Sequence, residues 1–430
     1  MAIAVGREYT ETHPHIRFQV DLSTPAPSLW AFLGEAKSKS EHVARTLLKP
    51  DASFELMQVF LTKGVLATTA IEGNTLTEDE ARRVVDGTHH LPPSKEYLAK
   101  EIENILAAYN QIKDELLADP DGLPFTPERL AEYNRLILDG LELEEGVVPG
   151  EVRDYPVTVG GIYKAAPARD CDYLVERLCD WLNGDDFTAP PDRPELAAPL
   201  AIIKAIVAHI YIAWIHPYGD GNGRTARLVE LQVLLRAGFP TPTTQLLSNH
   251  YNLTRSAYYR ELNRASQTGD LVPFAIYAAR GFVDELRSQL DIIWQTQFSD
   301  RWEQHVYQTM GPLKTVSIRR RLRLALAISR AGRPVPRQEV RQLAPELAEA
   351  YAKLTNKAIT RDLNVLRRLG LIERTAAGYV PENTEILGFM PDRADGVLQV
   401  EPVVPDRRLE SPEVHLLRER RGAGTEAAAT

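Results

Sequence analysis

Apolar residues recur at three- and four-residue spacing through most of the chain, so helix is the dominant prediction. Residues 28–48, bracketed by Pro25, Pro27 and Pro50, read as one helix. Residues 54–67 carry the same period. That stretch continues to Ile71 and ends at Glu72-Gly73-Asn74, where glycine supplies a C-terminal stop. Thr77-Glu78-Asp79-Glu80 opens another helix with an N-cap threonine and an acidic first turn. Residues 95–117 form a long amphipathic helix, and Thr126-Pro127-Glu128 starts one that reaches Leu138, with proline at the first helical position. Further helices are predicted over 170–182, 225–237, 256–266 and 272–298. Val157, Val159, Ile162 and Tyr163 flank Gly160-Gly161, a short hairpin and the clearest β signal before the C-terminal part.

Residues 196–215 are apolar for long enough to cross a bilayer. Pro199, Lys204 and His209 interrupt them, and an acidic, proline-rich stretch precedes them, so a buried helix at the centre of an all-helical domain is the reading adopted, with no membrane association. With 430 residues, 44% hydrophobic and 25% charged, the chain has the make-up of a soluble globular protein of two to four units. The net charge of −9 argues against a protein built broadly for nucleic acid, although a local basic patch is compatible with it. Cys171 and Cys179 fit no zinc spacing and make no disulfide framework, and no secretory signal is visible at the N-terminus. The expectation is a cytoplasmic location. His13, His15, His89 and His90 lie in polar stretches without ligand partners at metal spacing and read as surface histidines.

The C-terminal part changes character. Residues 317–337 hold seven arginines and no acid. Residues 355–369 then read as the recognition helix, which carries Lys353 just ahead of it and Lys357, Arg361, Arg367 and Arg368 together with Asp362, followed by a turn around Gly378. Helix, turn, helix and a two-stranded wing is the pattern of a winged helix-turn-helix, a candidate for binding DNA or a protein partner. From Asp392 the chain is charged and poor in aromatics, and residues 418–430 are expected to be disordered.

Between the apolar stretch and the helix predicted at 225–237 lies His216-Pro-Tyr-Gly-Asp-Gly-Asn-Gly-Arg-Thr-Ala-Arg227. A loop that opens a helix aims backbone N–H groups and the positive end of the dipole at one point, which makes an anion site. Gly219, Gly221 and Gly223 let the backbone approach a ligand. Arg224 and Arg227, three apart, share one side of the first turn and suit a polyphosphate. Asn222 can donate to a phosphate oxygen, and Asp220 is the hard oxygen that Mg2+ takes beside phosphates. His216 is the group suited to proton abstraction near neutral pH. The GxxxxGK(S/T) spacing is missing, so this is a nucleotide-polyphosphate site other than a Walker A loop.

The loop resembles the signature of the Fic family, H-P-F-x-(D/E)-G-N-G-R-x-x-R, with Tyr218 in place of the usual phenylalanine. Gly150-Glu-Val-Arg153 followed by Val157-Thr158-Val159-Gly160-Gly161 is similar to the family's segment leading into its hairpin flap, and Tyr258-Tyr259 resembles its tyrosine pair near the nucleotide base. The resemblance implies an all-α Fic bundle with a small hairpin flap, joined to the winged-helix domain. It also implies transfer of AMP from ATP, with Mg2+, to a hydroxyl of a target protein. His216 would be the base, and Gly221, Asn222 and Gly223 would hold the phosphates. Arg224 would take the β- and Arg227 the γ-phosphate, while the flap pins the target chain as an added strand. Thr68-Thr-Ala-Ile-Glu72-Gly73 resembles the family's inhibitory motif, (S/T)-x-x-x-E-(G/N). It implies that Glu72 pairs with Arg227 and withholds it from the nucleotide; in some members this glutamate supports removal of AMP instead. Homodimers are common among similar proteins. The domain expectation is an N-terminal region with the inhibitory helix at 1–95, the catalytic domain at 96–300, the winged helix at 313–390 and a disordered tail at 391–430.

Overall fold

The computed structural model describes residues 6–22, 26–120 and 122–382. The chain divides into two compact units, Met1–Leu290 and Asp291–Thr430. The first holds helices α1 (Tyr9–Thr12), α2 (Pro27–Ala44), α3 (Pro50–Ala70), α4 (Glu78–Val85), α5 (Glu96–Ala118) and α6 (Pro127–Leu138). The strands β1 (Thr158–Val159) and β2 (Tyr163–Lys164) follow. After them come α7 (Cys171–Asn183), α8 (Ala197–Ile215), α9 (Asn222–Arg236), α10 (Leu246–Leu253), α11 (Arg255–Thr268) and α12 (Val272–Met310), whose last part lies in the second unit.

Local chemistry sets these boundaries. The α4 start is a capping box: Glu80 N donates to Thr77 Oγ1 while Thr77 N donates to Glu80 Oε2. Thr126 caps α6 by accepting from Arg129 N, with Pro127 behind it. The core is α8. It is long and apolar enough to cross a membrane by length and composition, yet nearly all of it is buried, with α2, α7 and α9 packed around it. A helix covered on every side needs no polar stripe, which is why its sequence reads as uniformly apolar. Cys171 and Cys179 are buried in the same unit, and burial pushes their thiols up to about 11 and about 12.

Three expectations change. The helix expected at 225–237 begins three residues earlier, at Asn222, because Gly221 in the left-handed region (φ 77°) starts it from within the loop. The helix expected to end at Phe298 continues to Met310. Nothing in 299–310 stops a helix, and Gly311-Pro312 is the first break. The eight-residue α10 went unpredicted; its buried Ser248 and Asn249 hide the apolar period.

The second unit continues with α13 (Val316–Arg330), α14 (Pro345–Tyr351), α15 (Asn356–Arg368) and the antiparallel hairpin β3 (Ile372–Arg374) and β4 (Tyr379–Pro381). Leu324, Ile328, Leu347, Leu363, Leu366 and Leu371 form its core with Trp302 and Val306 of α12. Asp362 is fully buried and paired with Arg320 at 2.7 Å and Arg321 at 2.8 Å. The tail expected at 391–430, with its disordered end at 418–430, lies outside the described residues.

Candidate active site

The site is built where α8 ends. His216 is the C-cap of α8, with φ 50° and ψ 59°; only Phe18 shares a positive φ among the described non-glycine residues. A side-chain-bearing residue there is strained and persists only when its surroundings hold it. Arg153 does so. Buried to 4% exposure, it donates from Nε to His216 O (2.7 Å), from Nη1 to Tyr155 O (2.6 Å) and from Nη2 to Ala166 O (2.6 Å) and Ile215 O (3.3 Å). Its own N–H reaches Pro217 O at 2.9 Å. One cation thus satisfies carbonyls at the C-terminal end of α8, where the dipole favours positive charge, and ties them to both flanks of the β1–β2 hairpin.

The loop is closed by two asparagines. Asn222 accepts from Tyr218 N (2.9 Å) and donates to Tyr218 O (2.8 Å), so this buried carboxamide shapes the loop. Asn134 on α6 donates to Asp220 O (2.9 Å) and accepts from Gly150 N (2.8 Å). A Cβ on Gly221 would lie 2.9 Å from Asn134 Nδ2. Gly221 leaves the α9 N-terminus without a side-chain cap, so its first-turn N–H groups face the loop.

Two guanidiniums sit beside that N-terminus. Arg227, 1% exposed, donates from Nη2 to Thr68 O (3.0 Å) and to Glu72 Oε1 (2.5 Å). Thr68 takes part through its carbonyl, its hydroxyl being bound to Gly64 O. Arg224 pairs with Asp220 at 3.2 Å and with Glu101 at 3.4 Å. Arg227 Nε, Arg227 Nη1 and Arg224 Nε are buried with no acceptor among the described residues. Buried polar groups are rarely left unpaired, and three orphan donors on these two guanidiniums suit an anion. Glu72 reaches in from the turn after α3, where Gly73 adopts φ 109°. A Cβ on Gly223 would lie 2.3 Å from Glu72 Oε1, so that glycine makes the room. Burial alone would raise the Glu72 carboxyl, but Arg227, then Arg224 and His216, hold it below the ordinary range and keep it charged.

Two residues join this cluster without having been foreseen. Glu101 on α5 accepts from Asn74 Nδ2 at 2.8 Å, and Asn74 also donates to Leu98 O. Asn74 follows Gly73, so the turn that carries Glu72 is linked through Glu101 to Arg224. Burial raises the Glu101 carboxyl.

Burial, then Arg153, pushes the His216 ring down to about 4, against a hydrogen bond to the Ala213 backbone and the nearby charges of Glu72 and Asp220. A backbone group that favours the protonated ring is an acceptor, so it fixes one ring nitrogen as N–H and leaves the other with its lone pair. The ring is therefore neutral at pH 7. Its signals in a two-dimensional NMR titration are expected to move near pH 4; a midpoint near 6.5 would contradict the geometry.

The tyrosine pair splits. Tyr258 is buried, its hydroxyl 2.8 Å from His209 Nε2 and its ring stacked 4.8 Å from Tyr251. Tyr259 is 47% exposed and alone of the two offers an open face. In the hairpin, Thr158 pairs with Lys164 and Val159 with Tyr163, and Gly160 and Gly161 take φ 56° and 70°. Tyr163 donates to Trp214 O at 3.0 Å. His13 and His15 back this hairpin instead of lying on the surface: His13 is 5% exposed with Nε2 2.8 Å from Lys164 O, and His15 packs edge-on against Trp214. Among the described residues no group of three or more His, Cys, Asp or Glu forms a metal cluster. The Asp220 side chain is half exposed at the rim of the loop.

Residues 124–234 match the sequence model of the Fic/DOC family. The chain is 32% identical over 219 residues to Protein adenylyltransferase fic-1 of Caenorhabditis briggsae, covering 50% of this chain and 38% of that protein. It is 30% identical over 213 residues to Protein adenylyltransferase Fic of Nematostella vectensis, covering 50% and 45%. The chain therefore spans less than half the length of these relatives. In three dimensions it resembles a Fic family protein from Desulfovibrio desulfuricans G20, with a TM-score of 0.50 and 21% identity over 82% of this chain and 92% of that one. It also resembles Fic-1 (residues 134–508) of Caenorhabditis elegans, with a TM-score of 0.50 and 23% identity over 61% and 72%. At these identities the structural likeness speaks for the fold.

Proposed function

Because residues 124–234 form a Fic/DOC-family domain, we propose that this chain is a protein adenylyltransferase, moving AMP from ATP to a serine, threonine or tyrosine hydroxyl of a target protein or of itself. The observation that carries this reading is the set of orphan guanidinium donors around the uncapped α9 N-terminus, with a neutral imidazole beside it.

The attacking hydroxyl gives its proton to the free ring nitrogen of His216. Its oxygen bonds to the α-phosphorus as the bond from that phosphorus to the bridging oxygen breaks, and pyrophosphate leaves. Backbone N–H groups at Gly221 and Gly223 hold charge on the phosphates, Arg224 takes the β-phosphate and Arg227 the γ-phosphate. Asp220 would hold Mg2+, which supplies charge neutralisation for the phosphates, and one half-exposed carboxylate at the loop rim suits an ion that takes most of its other ligands from phosphate and water. The exposed edge at Val157, Thr158 and Val159 would take an extended segment of the target as an added strand. Glu72 is the brake, because its carboxylate occupies Arg227 and places a negative charge where a phosphate would lie. The two buried, free cysteines fit a reducing, cytoplasmic setting.

One observation favours a second role for Glu72. Its side chain is 33% exposed and its charge is felt by His216, a position from which a carboxylate can orient water for the removal of AMP.

Incubating the Glu72→Gly chain with cell lysate and ATP labelled at the α-phosphate tests the reading. AMP adducts on hydroxyl side chains, identified by mass spectrometry and absent from the Glu72→Gly/His216→Ala double variant, are expected. Transfer of the γ-phosphate, or label equal in both variants, overturns it. Release of AMP from a pre-modified target by the wild type, absent from Glu72→Gly, would establish the second role. Glu101 competes for Arg224 across a partly exposed contact, so Glu101→Gln is expected to tighten ATP binding about two- to fivefold by calorimetry.

A further inference from the structure

The charge of this chain is unevenly placed. Residues 291–382 hold 16 Lys and Arg against 9 Asp and Glu, in a chain whose net charge is −9. The dense arginine run of α13 and the turn after it is largely spent internally. Arg320 and Arg321 point onto buried Asp362, Arg330 pairs with Glu303 at 3.0 Å, and Arg333 pairs with Glu339 at 2.6 Å. Arg319 and Arg323 of α13 stay exposed outside any ion pair among the described residues, and a further set of such cations lies on α15. Lys357, Arg361, Arg367 and Arg368 are exposed and have no ion-pair partner among the described residues. Positions 357, 361, 364 and 368 form one ridge at helical spacing, with Thr360 beside it and Asn364 within it. The helix's sole acid, Asp362, faces the core. Arg337 extends the charge by donating to Thr360 Oγ1 at 3.2 Å, and a groove of about 430 Å³ lies between it and α15. The short connection at 352–355 sets α15 directly after α14.

We propose that this face of α15 binds duplex DNA, with the helix in the major groove. The mixture of residues selects the partner. Lys357, Arg367 and Arg337 match phosphates, whereas Arg361 and Asn364 carry the forked donors and acceptors that read guanine and adenine edges. An acidic protein surface would need only the cations. The B-form major groove admits an α-helix, and that of A-form RNA is too deep and narrow for one. This inference is independent of the reading of the nucleotide site.

The test is fluorescence anisotropy of the full chain with a labelled duplex of roughly 20–30 base pairs, two to three helical turns, at several salt concentrations. Binding should weaken linearly on a log–log plot against salt, with a slope of about −3 to −5. Lys357→Ala/Arg361→Ala should weaken it at least about tenfold, while Arg333→Ala, whose arginine is already paired, should change it by less than about twofold. On a site selected from random sequence, Asn364→Ala should relax the preference at one base pair. Absence of salt-dependent binding by the wild type, equal losses in the α15 and Arg333 variants, or equally tight binding of an RNA duplex would overturn the proposal.

Discussion

Arg153→Ala is expected to lower the stability of the first unit by about 3–5 kcal/mol and to abolish AMP transfer. The guanidinium reaches four carbonyl oxygens, at Tyr155, Ala166, Ile215 and His216, the contacts to Ala166 and Ile215 being buried and the other two partly so. Its removal leaves Ile215 O only the weak Cys171 thiol donor at 3.8 Å, takes this donor from the other three oxygens, and takes the positive charge from the end of α8. The left-handed backbone of His216 then loses the contact that holds it. Lysine keeps the charge but brings a single ammonium to a site built for a fork, so Arg153→Lys should recover only part of the stability. Thermal and urea melts read the first effect. An Arg153→Ala protein that melts with the wild type would show that His216 is held by something else. The charge has a second consequence. Arg153 lowers the His216 ring, so the alanine variant, if folded, should titrate higher than the lysine variant.

Glu72→Gly is expected to raise the initial rate of AMP transfer on the order of 10- to 100-fold. A charge-assisted hydrogen bond is worth about 1.5–3 kcal/mol, and releasing Arg227 from this partly buried one makes up to that amount available to the nucleotide. The same change should cost stability without ligand, because it takes the paired carboxylate from a fully buried guanidinium and leaves it only the more remote charge of Glu230. Saturating ATP should restore it, so the rise in melting temperature on adding ATP should be larger for Glu72→Gly than for the wild type. A variant that gains rate without this larger ATP shift would place the brake somewhere other than Arg227.

The residues that terminate elements or stand in a dense local motif are legible in the sequence, and those that act through distant partners are not. Thr77, Thr126 and Gly73 mark helix ends through local chemistry, and the structure puts ends there. The loop from His216 to Arg227 could be read because glycine, arginine and histidine have few reasons to be so close together. Arg153, Asn134, Asn74 and Glu101 act through partners distant in sequence, and no local pattern names those partners. Partial signals existed. Asn134 stands between Leu130 and Ile137 on the buried face of α6, and Asp362 stands with Ile359, Leu363 and Leu366 on the buried face of α15. A polar residue at an apolar position of a helical stripe is buried and therefore has a partner. Asp362 is thereby removed from the exposed face of α15, and Arg320 and Arg321 of the arginine run become its counter-charge. His13 and His15 sit in a polar segment that gives no sign of burial, while what covers them, the hairpin and Trp214, lies far along the chain.

The rivalry between Glu72 and the nucleotide for Arg227 is tested most directly by one rate comparison. The initial rate of label incorporation from ATP carrying a labelled α-phosphate is measured for the wild type, Glu72→Gln and Glu72→Gly, with Glu72→Gly/His216→Ala as the blank. The glycine variant is expected to be fastest, the glutamine variant, which keeps the shape but not the charge, intermediate, and the wild type near the blank. Wild-type and Glu72→Gly rates that coincide well above the blank would contradict it.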